Sequence, residues 1–484
     1  MRPLISIPSV ATTLNTRRFL IPIARKDRAS LTIARQFTMN RSATSARLSE
    51  SSPKKYRAGK PISPETDYHL ARPRRDRCGK IIWPAPKDQI QEAKDFIREC
   101  VAAGKRTLIV PDKDADGLAA GAIMRKTLIL LGLNPKLIFA YTMKKNRNVH
   151  DEDSRKDMAS YKPSFIIILD QGSGRSPPVI DGPHRALVID HHLADDDDHP
   201  ESAILVTANK CPPIATSSLL TYLICRDLHE GVEEACGWLC VLGTHGDLGN
   251  SITWSRPFPD MRATFRTHTK RSINLSASFI NAPRRTEAYD VPRAWKTLIE
   301  ASSTRDLVKN KFLQAARVEV MREVKRAGRV EPKFSADKRI AVFRIKSKAQ
   351  IHAVIATRQA RHLSRKNLEV VMVANEGYAP GIVNYSCRVP LCARGRDPPV
   401  NIPDILGKAA DRAEDKTLRT RMGPNFARGH TNASGGKIPE AEFKEFMELI
   451  GVGKKPSRSP KKPPKGPENQ DKFCTLQNYF DKQS

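Results

Sequence analysis

The sequence has few of the features that stabilise small secreted domains or anchor a chain in a membrane. It contains nine cysteines in 484 residues, and no two of them form a Cys-x-x-Cys pair, so neither a zinc module nor a disulfide framework is indicated. We expect reduced, mostly buried thiols in an intracellular protein. No apolar run approaches the ~20 residues that a membrane-spanning helix needs, so we expect no membrane association.

The sequence is also short of acidic residues. It has 83 lysines and arginines against 52 aspartates and glutamates, a formal net charge of +31, and such a basic chain attracts polyanions such as nucleic acid. The first 80 residues carry 18 basic against 5 acidic side chains, and residues 451–484 carry 8 against 3. Much of the positive charge therefore lies near the two ends of the chain.

Residues 1–84 are predicted to be a disordered basic region. Residues 1–49 combine arginines with abundant serine and threonine and a single acid, Asp27, which is typical of a mitochondrial transit peptide. Arg35-Gln36-Phe37 is similar to a matrix-protease cleavage site. A basic arm that contacts nucleic acid or belongs to a nuclear protein is the alternative, so the sequence leaves the localisation as mitochondrial or nuclear.

The middle of the chain predicts a parallel sheet. From residue 89 onward, helical spacing alternates with short apolar strands at residues 107–110, 137–141, 165–169 and 186–189. Acids or histidines follow three of these strands, namely Asp112, Asp114, Asp116, Asp170, Asp190, His191 and His192. Because the carboxyl ends of parallel strands meet at one edge of a sheet, we expect one shared site there.

A further acid, Asp247, follows an apolar segment at residues 237–242 and lies between Gly246 and Gly249. We expect these glycines to let the backbone turn tightly. Residues 255–285 are polar and basic, and no structure is predicted for them.

A second, smaller α/β unit is predicted over residues 336–450, after a helical connector at 291–335. The glycine-rich stretch 429–436 is expected to form a loop whose amides approach a phosphate, with an ordinary turn as the alternative. The predicted fold class is therefore α/β. A parallel-sheet catalytic domain at 85–290 is followed by the smaller α/β domain, with the site in the cleft between them.

These stretches resemble the DHH phosphoesterase superfamily, in particular its RecJ-like branch with a DHH-associated C-terminal domain. Four stretches are similar to the family's motifs and occur in family order, namely Asp112-x-Asp114-Ala115-Asp116-Gly117, Asp170, Asp190-His191-His192 and Gly243-Thr244-His245-Gly246-Asp247. In the second unit, Ser386-Cys387-Arg388 is similar to the family's Ser-x-Arg strand, and residues 429–436 to its Gly-Gly-His loop. The resemblance covers roughly residues 85–450. The sequence departs from the family's pattern at two places. The start of that loop contains fewer glycines, and His245 stands where related proteins often have a small or apolar residue.

The resemblance implies a pair of divalent cations, with Mn²⁺ favoured over Mg²⁺. Carboxylates and imidazoles suit such cations. Asp114 and Asp170 would hold one cation, with Asp112 as a ligand or neighbour. The other cation would be held by Asp116, Asp170, His191 and Asp247, so that Asp170 bridges the pair.

The resemblance also implies roles beside the cations. Asp190 would orient the third motif, and His192 would contact the scissile phosphate and assist the leaving oxygen. Arg388 would grip a neighbouring phosphate through its planar guanidinium, with a surface salt bridge as the alternative. The other candidates for substrate binding are Gly429, His430, Ser434, Gly435 and Gly436.

The predicted activity is that of a metal-dependent phosphodiesterase, a single-strand exonuclease that hydrolyses nucleic acid by a two-metal mechanism. A phosphoesterase acting on short oligonucleotides or nucleotide phosphates is the first alternative. A non-catalytic replication scaffold of the same fold is the second, and loss of metal ligands would be its signature.

The tail at residues 451–484 is predicted to be disordered and basic. Leu476, Tyr479 and Phe480 have the Leu-x-x-aromatic-aromatic spacing of peptides that bind sliding clamps. Phe473 stands where such peptides usually have glutamine. A tail that ends in aromatic residues by chance is the alternative, and a clamp peptide conflicts with a mitochondrial address.

Overall fold

The computed structural model describes residues 72–195, 197–249 and 252–454. The predicted transit segment and the clamp-type peptide at Leu476, Tyr479 and Phe480 lie outside these ranges. Of the eight described cysteines, all are free thiols, and only Cys78 and Cys392 are exposed. Within the described ranges, no helix is long and apolar enough to cross a bilayer.

The first sheet of the described chain is parallel throughout, which confirms the prediction. Its strands are β1 (Thr107–Pro111), β2 (Ile138–Ala140), β3 (Phe165–Leu169), β4 (Arg185–Asp190) and β5 (Ala203–Thr207). They lie in the order β2-β1-β3-β4-β5. The chain changes direction across the sheet between β1 and β3, and open α/β sheets bind ligands in the crevice at such a point.

Helices cover both faces of this sheet. They are α1 (Lys87–Ala103), α2 (Ala115–Leu130), α3 (Glu152–Ala159), α4 (Ser217–Arg226) and α5 (Gly231–Leu248). Leu108 and Val110 of β1 pack with Met158 of α3 on one face, whereas Ile109 packs with Phe96 of α1 on the other. Because alternate residues of a strand point to opposite faces, the two cores fix the strand ends from both sides. We call this part of the chain the first lobe.

The segment that contains Asp247 is helical, so the expectation of a tight turn is wrong at Gly246, whereas Gly249, with a φ of +75°, follows the end of the helix. α5 continues through Gly243 and Gly246 as far as Leu248. A side chain on Gly243 would overlap Ser218. The glycines thus permit close packing within a buried helix, and a short apolar run does not distinguish such a helix from a buried strand.

Residues 255–285, for which no structure was predicted, form α6 (Arg262–Thr267) and α7 (Lys270–Ile280). The predicted helical connector is divided into α8 (Val291–Glu300), α9 (Thr304–Lys309) and α10 (Lys311–Ala327). Asn310 interrupts the last two, because its side chain accepts a hydrogen bond from the amide of Leu313 and so caps α10.

The second lobe contains a mixed sheet. Its strands are β6 (Lys333–Phe334), β7 (Ile340–Ile345), β8 (Val370–Ala379), β9 (Ile382–Arg388), β10 (Arg428–His430) and β11 (Ala433–Pro439). Their order is β10-β11-β9-β8-β7-β6, and β7 and β8 are the parallel pair. The helices of this lobe are α11 (His352–His362), α12 (Ile402–Ala410), α13 (Leu418–Arg421) and α14 (Glu440–Leu449). A smaller α/β unit after the connector is therefore confirmed.

The glycine-rich stretch 429–436 forms an antiparallel hairpin, so its prediction as a loop is wrong. Gly429 pairs with Ser434 and has a φ of +117°, a conformation that favours glycine. A side chain on Gly435 would lie 2.6 Å from the carbonyl oxygen of Tyr385 on β9. The glycines allow this close approach of strands.

The packing of α5 against α2 gives a stability test. Gly246→Ala is expected to lower the free energy of unfolding by ~1–3 kcal/mol, because its methyl group would lie 2.6 Å from the Cβ of Ala115, which the backbone of α2 holds in place. A glycine-to-alanine change inside a helix otherwise stabilises by up to ~1 kcal/mol.

Gly237→Ala in the same helix is the matched control, since its nearest neighbours are the side-chain ends of Thr264 and Met261, at 3.0 Å and 3.7 Å. Urea unfolding of both variants measures the difference. Equal midpoints for the two variants would show that the close packing of α5 on α2 does not matter.

Candidate metal centre

The acidic segment after β1 lies at the crevice between β1 and β3. The amide of Asp112 donates to the carbonyl oxygen of Leu169 at 2.9 Å, and its carboxylate lies 3.0 Å from Lys113 Nζ. Asp114 caps α2 through Oδ1, while its Oδ2 lies 3.5 Å from Arg284 Nη2. The segment therefore brings two carboxylates next to the end of β3.

Asp170, at the end of β3, has a left-handed backbone conformation with a φ of +63°. This conformation is uncommon for residues other than glycine, and strained residues cluster at functional sites. The amide of Asp170 donates to the carbonyl oxygen of Ile189 on β4 at 2.9 Å, and its side chain is buried. The strand ends thus hold Asp170 between the first and third motifs.

Asp170 belongs to two groups of ligand-type side chains. The ligand atoms of Asp112, Asp114 and Asp170 lie within 4.8 Å of one another, and so do those of Asp170, His191 and His192. The structure therefore brings together five of the residues singled out in the sequence, with one carboxylate common to both groups.

His191 and Asp247 extend the second group. His191 Nε2 lies 3.3 Å from Oδ1 of Asp170 and 3.8 Å from Oδ2 of Asp247. The imidazole is buried, and its Nδ1 has no hydrogen-bond partner among the described residues, which is rare for a buried polar atom. Asp247 reaches the strand ends from the last turn of α5.

Asp116 is held differently from the other candidate ligands. One of its oxygens accepts a hydrogen bond from the amide of Ser217 at 2.8 Å, and the other accepts from the amide of Ser218 at 3.1 Å and from the Ser218 hydroxyl. Burial, with the charges of Asp247 and Asp114, raises the pKa of Asp116 to about 6. Asp116 therefore lies at the site, but both of its carboxylate oxygens accept hydrogen bonds from the N-terminus of α4.

The N-terminus of α4 also holds Asp170. Ser217 Oγ donates to Asp170 Oδ1 at 2.9 Å, and the hydroxyl of Thr216 caps the helix. Sequence patterns did not indicate these residues. A Thr-Ser-Ser triplet before an apolar helix has the composition of an ordinary cap, and nothing in the sequence connects it with an acid 101 residues earlier.

Asp190 acts as an anchor for the third motif. Its buried carboxylate accepts hydrogen bonds from the amides of His191, His192 and Ser173 at 2.8, 3.3 and 3.1 Å, and from His192 Nδ1 at 2.8 Å. Desolvation opposes protonation of His192, but the Asp190 carboxylate outweighs it and raises the pKa of His192 to about 9. The side chain of His192 is 51% exposed, so an oriented, cationic imidazole faces solvent beside Asp170.

This donor set fits divalent cations. Burial, followed by the charges of Asp116 and Asp114, holds the pKa of Asp170 well above its usual range. Carboxylates that crowd together resist ionisation unless positive charge neutralises them. Carboxylate oxygens suit Mg²⁺ and Mn²⁺, and imidazole is a further ligand for transition metals. The residues present therefore suit two divalent cations that share Asp170.

His245, the departure in the fourth motif, has a packing role. Its Nδ1 lies 2.7 Å from Asn274 Oδ1, and its Nε2 accepts from Trp254 Nε1 at 3.1 Å. The ring also packs against Phe265. Both nitrogens are thus engaged with residues of α7 and of the segment before α6, which explains a histidine at this position.

Polar interactions join the second lobe to Arg285 and to the first lobe. The amide of Gln350 donates to the carbonyl oxygen of Arg285 at 3.0 Å. Lys145 Nζ donates to the carbonyl oxygen of Lys348 at 3.1 Å and lies 4.4 Å from the ring centre of Tyr378. These contacts hold β8 and the start of α11 beside the first lobe.

Arg388 lies at the end of β9, where its Nη1 donates to the carbonyl oxygen of Cys387 at 2.8 Å. Among the described residues it forms no ion pair, so the salt-bridge alternative is not observed. The Ser434 hydroxyl donates to the carbonyl oxygen of Arg428 at 2.8 Å, inside the hairpin. The remaining candidates lie on the hairpin strands, namely Gly429, His430, Gly435 and Gly436.

Comparison with known proteins agrees with this geometry. Residues 106–244 match the family described as DHH family, N-terminal domain. A solved DHH domain, described as a member of a family of ribosomal proteins, is 15% identical, with 75% of this chain and 90% of that chain covered and a TM-score of 0.57. No curated protein matches the sequence.

Two structures of RecJ are also similar. RecJ from Thermus thermophilus in complex with Mn²⁺ is 16% identical, with 76% of this chain and 55% of that chain covered and a TM-score of 0.54. An exonuclease RecJ bound to manganese is 16% identical, with 76% of this chain and 94% of that chain covered and a TM-score of 0.50.

Residues 106–244 therefore match the DHH family's N-terminal domain, as the motifs predicted, and the fold of the described chain is similar to that of RecJ. The family match contains the first three motifs and ends at Thr244, before Asp247. These findings support a hydrolase of the DHH phosphoesterase class that depends on divalent metal ions.

The contact between Ser217 and Asp170 gives a test of metal binding. Ser217→Ala is expected to weaken Mn²⁺ binding by ~10-fold or more, because loss of the group that orients a metal ligand costs ~10- to 100-fold in affinity. Titration calorimetry of the metal-free protein measures the change.

Thr221→Val is the matched control in the same helix, because it removes a buried hydroxyl that has no hydrogen-bond partner among the described residues. Its affinity for Mn²⁺ should equal that of the wild type. If Ser217→Ala also binds Mn²⁺ like the wild type, the α4 terminus does not position the site.

Proposed function

We propose that this protein is a single-strand exonuclease, a phosphodiesterase that removes nucleotides from the end of a single-stranded nucleic acid. The proposal depends on one observation: the carboxylate of Asp170 belongs to both groups of ligand-type side chains. Arg388, without an ion pair among the described residues, supplies positive charge in the same region. The match of residues 106–244 to the DHH family's N-terminal domain and the likeness to an exonuclease RecJ bound to manganese support the proposal.

The residues divide between two cation sites. Asp112, Asp114 and Asp170 would hold one cation, and Asp170, His191 and Asp247 the other. When bound, the cations acidify a water molecule and neutralise charge on the phosphate. For Asp116 the hydrogen bonds to Ser217 and Ser218 favour a supporting role, in which its carboxylate fixes α4 against the site.

His192 would act on the phosphate directly. Its exposed, cationic ring can donate a hydrogen bond through Nε2, because Asp190 engages Nδ1. Such a donor stabilises negative charge that develops on a phosphate oxygen or on the leaving oxygen. Asp190 would then keep the ring in position and maintain its charge.

A single strand suits this arrangement because its backbone can bend to present successive phosphates to two separate positions. One position is the carboxylate cluster of the first lobe, and the other is Arg388 of the second lobe. His430, on the hairpin strand β10, would contact the same phosphate as Arg388.

Two predictions from the sequence concern residues outside the described ranges and therefore stay predictions. These are the mitochondrial or nuclear address of the N-terminal region and the binding of a sliding clamp through Leu476, Tyr479 and Phe480.

Asp170→Asn is expected to reduce hydrolysis of a labelled single strand in Mn²⁺ by at least ~100-fold, since the amide keeps the shape of the side chain but loses the charge that both cations share. The metal-free variant should unfold at a higher temperature than the metal-free wild type, because burial and neighbouring acids disfavour the ionised form of Asp170. Glu92→Gln, at an exposed position on α1, is the control that should change neither quantity.

A substrate panel separates this proposal from the alternatives. It comprises single- and double-stranded DNA and RNA, dinucleotides and nucleotide phosphates, each with Mn²⁺ and with Mg²⁺. Hydrolysis of dinucleotides or nucleotide phosphates alone would replace the exonuclease by an enzyme for small substrates. Binding of strands without hydrolysis in either metal would favour a scaffold.

A further inference from the structure

An apolar side chain, Leu193, lies in solvent beside the candidate site. It follows His192 directly in the chain, and 73% of its surface is exposed. No other large apolar side chain in the described ranges is as exposed, and the next is Leu391, at 59%. Single exposed leucines are common on protein surfaces, so the exposure of Leu193 gains meaning from the way its backbone is held and from its neighbours.

One side chain fixes the backbone on both sides of Leu193. Asn209 Nδ2 donates to the carbonyl oxygen of Ala194 at 2.7 Å and to that of His192 at 3.3 Å. Asn209 follows β5, and its own amide donates to Thr207 Oγ1 at 3.2 Å. Because β5 pairs with β4 up to the third motif, the strand ends that position the carboxylates also fix the place of Leu193.

The segment after Leu193 is acidic. Residues 195–198 are four consecutive aspartates, and Arg175 pairs with Asp197 at 3.1 Å and with Asp198 at 3.9 Å. The negative charge of such a run repels the phosphates of a strand. The part of a substrate that lies against Leu193 is therefore an uncharged part.

His192 determines which uncharged part is within reach. Its exposed, cationic ring is the proposed contact of the scissile phosphate, and consecutive Cα atoms are only about 3.8 Å apart. The groups that flank a phosphate in a strand are the sugars and the bases of two nucleotides. A sugar presents several oxygens, whereas a base presents a flat face, which suits the all-carbon side chain of leucine better.

We infer that Leu193 contacts the face of one of the two bases that flank the phosphate at His192. The inference rests on the proposed function and deepens it, because it assigns a nucleotide with an intact base as the unit that the site positions. Leucine has no hydrogen-bonding group in its side chain, so the contact tolerates any base. This tolerance suits an enzyme that removes successive nucleotides from a strand.

The test compares the loss of a base from the substrate with the loss of the leucine from the protein. The full-length protein in Mn²⁺ receives labelled single-stranded octamers of DNA and of RNA. Each octamer is intact or carries one abasic site, placed at the first or second nucleotide from either end. Initial rates at several substrate concentrations give kcat and KM for removal of the first nucleotide.

Three variants are compared with the wild type. Leu193→Ser removes the apolar group, and Leu193→Met keeps it. Leu130→Ser is the matched control, because it makes the same change at a partly exposed leucine at the opposite end of α2 from the cap at Asp114. Thermal unfolding of each variant checks the fold.

We expect one abasic position to lower kcat/KM of the wild type by about tenfold, as for the loss of a buried leucine contact. Leu193→Ser should lower kcat/KM for the intact octamer by about tenfold as well. It should be insensitive to that abasic position, because both changes remove the same contact. Leu193→Met should retain the rate and the sensitivity of the wild type, since leucine and methionine are similar in volume.

Two further readouts separate this contact from a contact with a phosphate and from a structural role. The salt dependence of KM should be the same for Leu193→Ser and for the wild type, because no charge is lost. The unfolding temperature of Leu193→Ser should equal that of the wild type, because the side chain is exposed. Leu130→Ser should hydrolyse all the octamers like the wild type.

The inference is wrong if the wild type hydrolyses the octamers and no abasic position lowers its rate. It is also wrong if Leu193→Ser is as sensitive to the abasic site as the wild type, or if Leu130→Ser loses as much activity. In each of these cases the exonuclease proposal stands. If the wild type hydrolyses no strand, the exonuclease proposal fails, and the inference about Leu193 fails with it.

Discussion

The crowding of carboxylates at the carboxyl edge of the first sheet is the constraint on which the rest of the site depends. Asp114, Asp116 and Asp170 are close enough for each to influence the ionisation of another. Three elements offset this repulsion within the protein: the N-terminus of α2 at Asp114, the N-terminus of α4 at Asp116, and Arg284. Helix N-termini carry partial positive charge, but a pair of divalent cations would neutralise the cluster far more completely.

This constraint explains why helices that are distant in sequence meet at one point. The serines of α4 contact Asp116 and Asp170 at once, and Gly243 of α5 leaves the space that Ser218 occupies. The small residues in these two helices are thus part of the support of the site. The second lobe adds cationic residues, whose charge suits a phosphate-bearing ligand. The carboxylate cluster of the first lobe is negative, and this charge suits metal ions that neutralise the phosphate.

Much of this site could be predicted because parallel strands end at a common edge. That rule brings Asp112, Asp170 and the third motif together from the sequence alone. The helical placement of Asp247 and the pairing of Asp116 with Ser217 could not be predicted in this way. A short apolar segment has no period that separates strand from helix, and the contacts between helices depend on packing in three dimensions. The hairpin at Gly429 was missed for a similar reason, since glycine serves turns and close strand contacts alike.

Diffraction from crystals grown with Mn²⁺ tests most directly whether two cations share the carboxylate of Asp170. Anomalous difference maps at the manganese edge should show two peaks ~3.5–4 Å apart, the spacing of two-metal sites, with the Asp170 carboxylate in contact with both. Two peaks that do not share Asp170, or a single peak at saturating Mn²⁺, would contradict the account.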